Sequence, residues 1–170
     1  EYHLLGMMGD KIGEGIPVFT GLPKVITPEA LRNLGAQLNT SGAYGMYHIL
    51  GFTPEAPTLE VAFGGKKPER EVVITDKDLR DFEEKFSDEL PNGGKIDFAM
   101  FGCPHFTLEE AKYIAEHVEG KKLSVPMYIL VSSHALQMAE RMGIYDTLAA
   151  AGAELISDSC PDQPCWHYLK

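Results

Sequence analysis

Cysteines, basic residues and long apolar runs are all scarce in this 170-residue chain. Three cysteines are too few for a disulfide framework, so reduced thiols or metal ligands are expected. Lys and Arg number 15 against 25 Asp and Glu, and the net charge of −10 disfavours nucleic acid and anionic membranes as partners. No apolar run reaches the roughly 20 residues of a membrane-spanning helix, and no signal-peptide pattern opens the chain. We therefore predict a cytoplasmic protein.

Nucleotide-binding motifs are missing as well. The glycine-rich segment 1–26 contains neither a G-x-G-x-x-G run after a strand nor a P-loop lysine, so a nucleotide site has no support. What the chain does have is enough apolar content, 44%, to bury the core of one domain. We predict a single α/β domain over 1–170, with an irregular amino-terminal part, 1–94, and a regular part, 95–170.

The amino-terminal part is predicted to contain short helices and strands separated by turns. A short helix is predicted near 1–8, and Thr27 followed by Pro28 predicts the start of another. A strand is predicted over 43–50, followed by a turn at 53–56. The β-prone runs 59–63 and 71–75 flank a turn that contains Lys66 and Lys67, and together they predict a hairpin. Helical spacing predicts a helix over 76–86, and the segment 91–94 ends this part.

The regular part alternates strands and helices. Strands are predicted over 96–101, 127–131 and 153–156, and Thr107 with Glu110 forms a capping box for the first helix. A second helix follows Ser132 and Ser133, and a short one is predicted over 145–151. This order predicts a parallel sheet with right-handed crossovers.

A functional consequence follows from that topology. The loops 103–105, 132–134 and 158–160 follow the three strands and would share the carboxyl edge of the sheet, where open α/β folds bind ligands. Cys103 and Cys160 would therefore lie on one rim, and two thiolates suit a soft metal or an iron–sulfur cluster. Alternatively, each cysteine is a small buried hydrophobe, or Cys103 and His105 form a nucleophile and base.

Other polar residues allow more than one interpretation. Ser132 and Ser133 are expected to cap a helix, although capping N–H groups also bind carboxylates and phosphates. His48 is expected to be a satisfied core residue. Cys160 and Cys165 form a Cys-x4-Cys run, which is a weak cluster signature.

The chain resembles the catalytic domain of the aconitase X family. The resemblance covers essentially all 170 residues. It rests on several motifs in the right order, which are 17–22, 34–36 with 41–42, 48–51 with 53–56, Gly102-Cys103-Pro104-His105 and Asp158-Ser159-Cys160.

The resemblance implies an aconitase-like parallel-sheet domain with helices on both faces. It further implies a hydro-lyase that dehydrates a small hydroxy acid, such as phosphomevalonate or hydroxyproline, with a [4Fe-4S] or [2Fe-2S] cluster. Cys103 and Cys160 match two of the three family cluster ligands, and the third is expected before Glu1. His105, Ser132 and Ser133 would line the pocket, and a small swivelling subunit or domain would close over it.

Two departures from the family pattern bear on the site. Ser159 stands where the family more often has Thr, which keeps the hydroxyl. Cys165 has no counterpart in the three-ligand set. Since two mapped ligands are present, we expect this segment to be inactive by itself. A non-catalytic metal-binding or interaction module of the same fold, and a thiol enzyme, are the alternative functions.

Overall fold

A computed structural model describes residues 2–86 and 94–163 together with Trp166, and it divides the chain into two compact units, 1–88 and 89–170. Each unit has its own hydrophobic core. No helix among the described residues is long and apolar enough to cross a membrane. The sequence placed the change of pattern between 94 and 95, close to this division. That the units assemble into a single domain stays a prediction.

The amino-terminal unit is mainly helical. Its elements are α1 (Tyr2–Met7), α2 (Gly9–Ile12), β1 (Val18–Phe19), α3 (Pro28–Gly42), β2 (His48–Ile49), α4 (Leu59–Ala62) and α5 (Asp76–Phe86). Strands β1 and β2 pair in parallel, and α1 packs closely on α3. That packing needs a glycine at position 6, where a Cβ would lie 2.7 Å from the Gln37 Cβ and from the Leu34 carbonyl oxygen. Leu34 and Leu38 are fully buried at the centre.

Several predictions for this unit are confirmed and two are wrong. Thr27 caps α3, since its hydroxyl accepts a hydrogen bond from the Ala30 N–H at 3.2 Å. The predicted strand 43–50 shrinks to β2, because Ala43 adopts a left-handed conformation at the end of α3. The predicted hairpin is wrong. Thr58 caps α4 over the first run, and the second run, 71–75, contains no strand.

The carboxy-terminal unit is a regular α/β unit. It contains β3 (Ala99–Phe106), α6 (Leu108–Val118), β4 (Met127–Val131), α7 (Ser133–Arg141), α8 (Ile144–Ala151) and β5 (Ala153–Ser157). The three strands are parallel in the order β3, β4, β5, as predicted. The capping box is confirmed, because the Thr107 hydroxyl accepts from the Glu110 N–H and the Glu110 carboxylate accepts from the Thr107 N–H.

One face of this sheet packs against all three helices. Ile129 and Val131 of β4 and Leu155 of β5 share a core with apolar residues of α6, α7 and α8. Crossovers of one hand that always step in the same direction along a sheet place their helices on the same side, which explains this arrangement. The predicted right hand of the crossovers stays a prediction. Of the two faces predicted to carry helices, the described helices of this unit therefore cover one.

The first strand of this sheet differs most from its prediction. It was expected over 96–101 and spans Ala99–Phe106, so Cys103 and His105 lie inside the strand rather than in a loop after it. Phe101 pairs with Ile129 and Phe106 pairs with Val131, so residues 102–105 stand opposite Leu130 alone. Residues that one strand has in addition to those of its partner form a bulge in the sheet. Residues 102–105 therefore combine strand pairing at both ends with a loop-like middle.

Candidate functional site

The candidate site is the carboxyl rim of the carboxy-terminal sheet, which we define as residues 102–106, 131–133 and 157–160. The bulge in β3 exposes Cys103, and its peptide bond to Pro104 is cis. Gly102 makes the bulge possible, because its φ is +135° and a Cβ there would lie 2.4 Å from the Leu130 Cβ. The thiol therefore directly follows a residue whose backbone is pressed against β4.

A hydrogen bond joins the first and third strand ends of the rim. The Nε2 atom of His105 lies 2.5 Å from the carbonyl oxygen of Ser159, the residue that precedes Cys160. A carbonyl only accepts, so the imidazole donates from Nε2. The sequence predicted that the two cysteine segments meet on one edge. This bond joins His105, two residues after Cys103, to Ser159, which directly precedes Cys160.

Asp158 joins the third strand end to the second. Its backbone N–H donates to the Val131 carbonyl at 3.0 Å, and its Oδ1 accepts from the Ser133 N–H at 3.0 Å. The carboxylate thereby occupies the amino terminus of α7, where the helix dipole favours negative charge. The backbone φ of Asp158 is +53°, a left-handed conformation that Asp tolerates better than most residues.

The two serines of the rim serve the start of α7. The Ser132 hydroxyl accepts from the Ala135 N–H at 3.2 Å, which confirms the predicted cap. Ser133 gives its N–H to Asp158, so the carboxylate at this helix start is supplied by the chain itself. Both serines are exposed. Their predicted contact with a substrate stays a prediction.

Cys160 is held through its backbone while its side chain is exposed. Its carbonyl accepts from the Trp166 Nε1–H at 2.7 Å and from the Gln163 N–H at 3.2 Å. Trp166 in turn lies against Tyr128, with ring centroids 6.1 Å apart. Exposure of both thiols argues against the interpretation that each cysteine is a buried hydrophobe. Cys165 lies outside the described residues.

No role for Asp158, Gln163 or Trp166 was predicted from the sequence. An Asp directly after a buried strand, beside the start of a neighbouring helix, was an available indication of the first role. Contacts of Gln163 and Trp166 depend on the chain turning back, which no local pattern encodes. Within the described residues, no group of three or more His, Cys, Asp or Glu side chains is arranged to hold a metal ion.

The amino-terminal unit has polar features of its own. The Nδ1 atom of His48 is buried and has no hydrogen-bond partner among the described residues, contrary to the expectation of a satisfied core residue. A cavity of 1060 Å³ is lined by the glycine-rich segment 13–22 and by Lys66, Lys67 and Arg70. Glu14, Glu69 and Asp76 line the same cavity, so its charge favours no ligand class.

The fold and the rim define a class of protein. A parallel α/β unit with polar and thiol groups at the carboxyl ends of its strands is built like the ligand-binding units of α/β enzymes. Sequence profiles narrow the class, because the aconitase X second domain matches residues 1–84 and the aconitase X third domain matches residues 96–170. The chain belongs to the aconitase X family.

Individual relatives agree with this assignment. The chain is 36% identical over 165 residues to a cis-3-hydroxy-L-proline dehydratase of Pseudomonas aeruginosa, covering 94% of this chain and 28% of that protein. It is 32% identical over 163 residues to a phosphomevalonate dehydratase large subunit of Thermococcus kodakarensis, covering 94% of this chain and 40% of the relative. The chain thus spans well under half the length of these relatives.

A known structure is also similar. The crystal structure of Thermococcus kodakaraensis aconitase X in its holo-form superimposes with a TM-score of 0.79 at 32% identity, covering 94% of this chain and 40% of that one. The predicted aconitase X membership and the aconitase-like α/β fold are confirmed.

Proposed function

We propose that this chain is part of an iron–sulfur-dependent hydro-lyase that removes water from a small hydroxy acid. The observation that carries the proposal is the His105–Ser159 hydrogen bond, which joins the segment of Cys103 to that of Cys160 at the carboxyl rim. Relatives named as dehydratases of phosphomevalonate and cis-3-hydroxy-L-proline support this reaction class. We propose a substrate of one of these two kinds.

The chemistry of the two thiols fits part of an iron–sulfur site. Thiolate is the ligand that such clusters select, and Cys103 and Cys160 are both exposed at one rim. Three thiolates would complete the set that the family resemblance implies, and the described residues supply two. We propose that the third comes from a part of the protein outside residues 1–170. Cys165 is the other cysteine of the chain, and we propose no ligand role for it.

When bound, a cluster with one iron free of protein ligands supplies a Lewis acid for the substrate hydroxyl and carboxylate. The residues of this chain would contribute in other ways. Cys103 and Cys160 would hold the cluster, and His105, Ser132 and Ser133 would border the substrate. The Asp158 carboxylate fills the start of α7, so a substrate carboxylate would be bound by other groups than the Ser133 N–H. The proton next to the hydroxyl would pass to a base outside these residues.

We also propose that a small swivelling subunit or domain closes over the rim. The relative from Thermococcus kodakarensis is named as a large subunit, which implies a smaller partner for that protein. A closing partner would exclude water from the reacting groups. Both thiols that it would cover are exposed on this chain.

The test is anaerobic reconstitution of the full-length protein, followed by iron and sulfide analysis and a dehydration assay. We expect Cys103→Ser and Cys160→Ser to lose most of the iron, while the matched Cys165→Ser variant keeps it. If both rim variants hold iron as well as the parent, the cluster assignment is wrong. If no iron binds and activity depends on Cys103 alone, a Cys103–His105 thiol enzyme is favoured. An inactive protein that still binds metal at the rim would favour the non-catalytic module.

A further inference from the structure

Hydrogen bonds from separate parts of the unit anchor Asp158, Ser159 and the backbone of Cys160. On the β3 side, the His105 imidazole donates to the Ser159 carbonyl across 54 positions of sequence. His105 is itself two residues after Cys103 on the same strand. One side chain therefore connects the segment of one thiol to the residue next to the other.

On the β4 side, Asp158 makes two hydrogen bonds of 3.0 Å. Its N–H donates to the Val131 carbonyl, and its Oδ1 accepts from the Ser133 N–H. After the thiol, the Cys160 carbonyl accepts from Trp166 and Gln163. The backbone is thus fixed before and after Cys160, whereas the side chain stays exposed. A fixed backbone under an accessible side chain is the arrangement that preorganises a ligand or a reactive group.

We propose that His105 and Asp158 are positioning residues that hold Cys160 opposite Cys103 before any metal binds. His105 would set the distance between β3 and the Cys160 segment, and Asp158 would set the direction in which that segment leaves β5. The proposal rests on the proposed function only for the identity of the bound group, an iron–sulfur cluster held by the two thiols. The positioning itself concerns the metal-free protein and can be measured there.

The experiment uses a short bifunctional thiol reagent, dibromobimane, on the metal-free full-length protein in a Cys165→Ser background. The rate at which it links Cys103 to Cys160 is measured by mass spectrometry of the linked peptides. Each rate is divided by the rate at which iodoacetamide alkylates the single thiols. This ratio reports the relative position of the thiols, because a change in thiol reactivity alone affects both rates.

Matched pairs of variants separate positioning from folding. We expect His105→Ala to lower the ratio roughly two- to tenfold, the range that one neutral hydrogen bond supports, and His105→Gln to restore it through its amide donor. We expect Asp158→Ala to lower the ratio by roughly tenfold, since a charge-assisted bond is lost, and Asp158→Asn to keep most of it through its carbonyl oxygen. Asn also tolerates the left-handed backbone.

The outcomes discriminate between the two proposals. Ala variants that link as fast as the parent would overturn the positioning role. If the Ala variants do not fold, the Gln and Asn variants decide, because slow linking in folded protein would overturn it too. A parent that links rapidly, with the expected variant pattern, but never binds iron would leave the positioning intact and refute the cluster. Loss of iron without any change in linking would contradict the positioning and leave the cluster standing.

Discussion

Replacing Gly102 with alanine should destabilise the carboxy-terminal unit more than the same replacement at Gly120. Gly102 has a φ of +135°, and an added Cβ would lie 2.4 Å from the Leu130 Cβ and 3.0 Å from its Cα. The backbone strain of such a conformation costs about 1–3 kcal/mol. The overpacking against β4 costs about 1–3 kcal/mol more. We therefore expect Gly102→Ala to lower the free energy of unfolding by about 2–6 kcal/mol.

Trp166 offers a direct assay. It is the single tryptophan of the chain and lies against Tyr128 of the sheet, so its fluorescence reports the carboxy-terminal unit. Urea unfolding followed by this signal gives the midpoint and slope for parent and variant. A shifted midpoint at constant slope would show a change in stability without a change in the surface exposed on unfolding.

Gly120 provides the matched control. Its φ is +70°, but an added Cβ would meet no atom within 4 Å. Gly120→Ala should therefore cost only the strain of a left-handed residue, about 1–2 kcal/mol. Equal losses in the two variants would refute the argument that contact with Leu130 confines position 102 to glycine. A larger loss for Gly120→Ala would show that position 102 tolerates an added Cβ despite its φ and its contact with Leu130.

Two further predictions concern the amino-terminal unit. Hydrogen bonds from Lys11 and Thr75 hold the pKa of the Asp78 carboxyl well below its usual range. A carboxyl pKa depressed by folding adds stability above the unfolded value of about 3.9 that is lost as pH falls, so Asp78→Asn should weaken the pH dependence of acid unfolding. An unchanged acid limb would contradict this. The single O–H of Tyr44 is shared between the Gly9 and Gly13 carbonyls, so Tyr44→Phe should lower stability by about 1–3 kcal/mol in thermal unfolding, and an unchanged Tm would contradict this hydrogen bond.

Local patterns were sufficient for most of the carboxy-terminal unit. The Thr107–Glu110 capping box and the apolar runs of β4 and β5 are encoded within a few residues each, and their structures follow the prediction. Parallel pairing followed from the alternation of strands and helices. The edge on which the two cysteine segments meet was therefore predictable without knowledge of any contact.

Features that depend on distant neighbours were not predictable. Residues 102–105 resemble a loop in sequence, yet β3 continues through them because Phe106 pairs with Val131. The run 59–63 has β-prone residues, but the Thr58 cap favours α4, and no partner strand forms over 71–75. The role of Asp158 depends on β4 and α7 lying beside β5. Propensity is a weak guide wherever such tertiary partners decide the outcome.

The span of the His105–Ser159 bond has a consequence for the order of events during synthesis. Its partners are 54 residues apart, with two helical crossovers between them, so the bond cannot form until β5 has left the ribosome and joined the sheet. Cys103 is made long before that moment, while the unit is still partly folded. The rim is therefore one of the last parts of this unit to be completed. A chain interrupted before β5 would present a lone thiol without the residues that surround it in the finished protein.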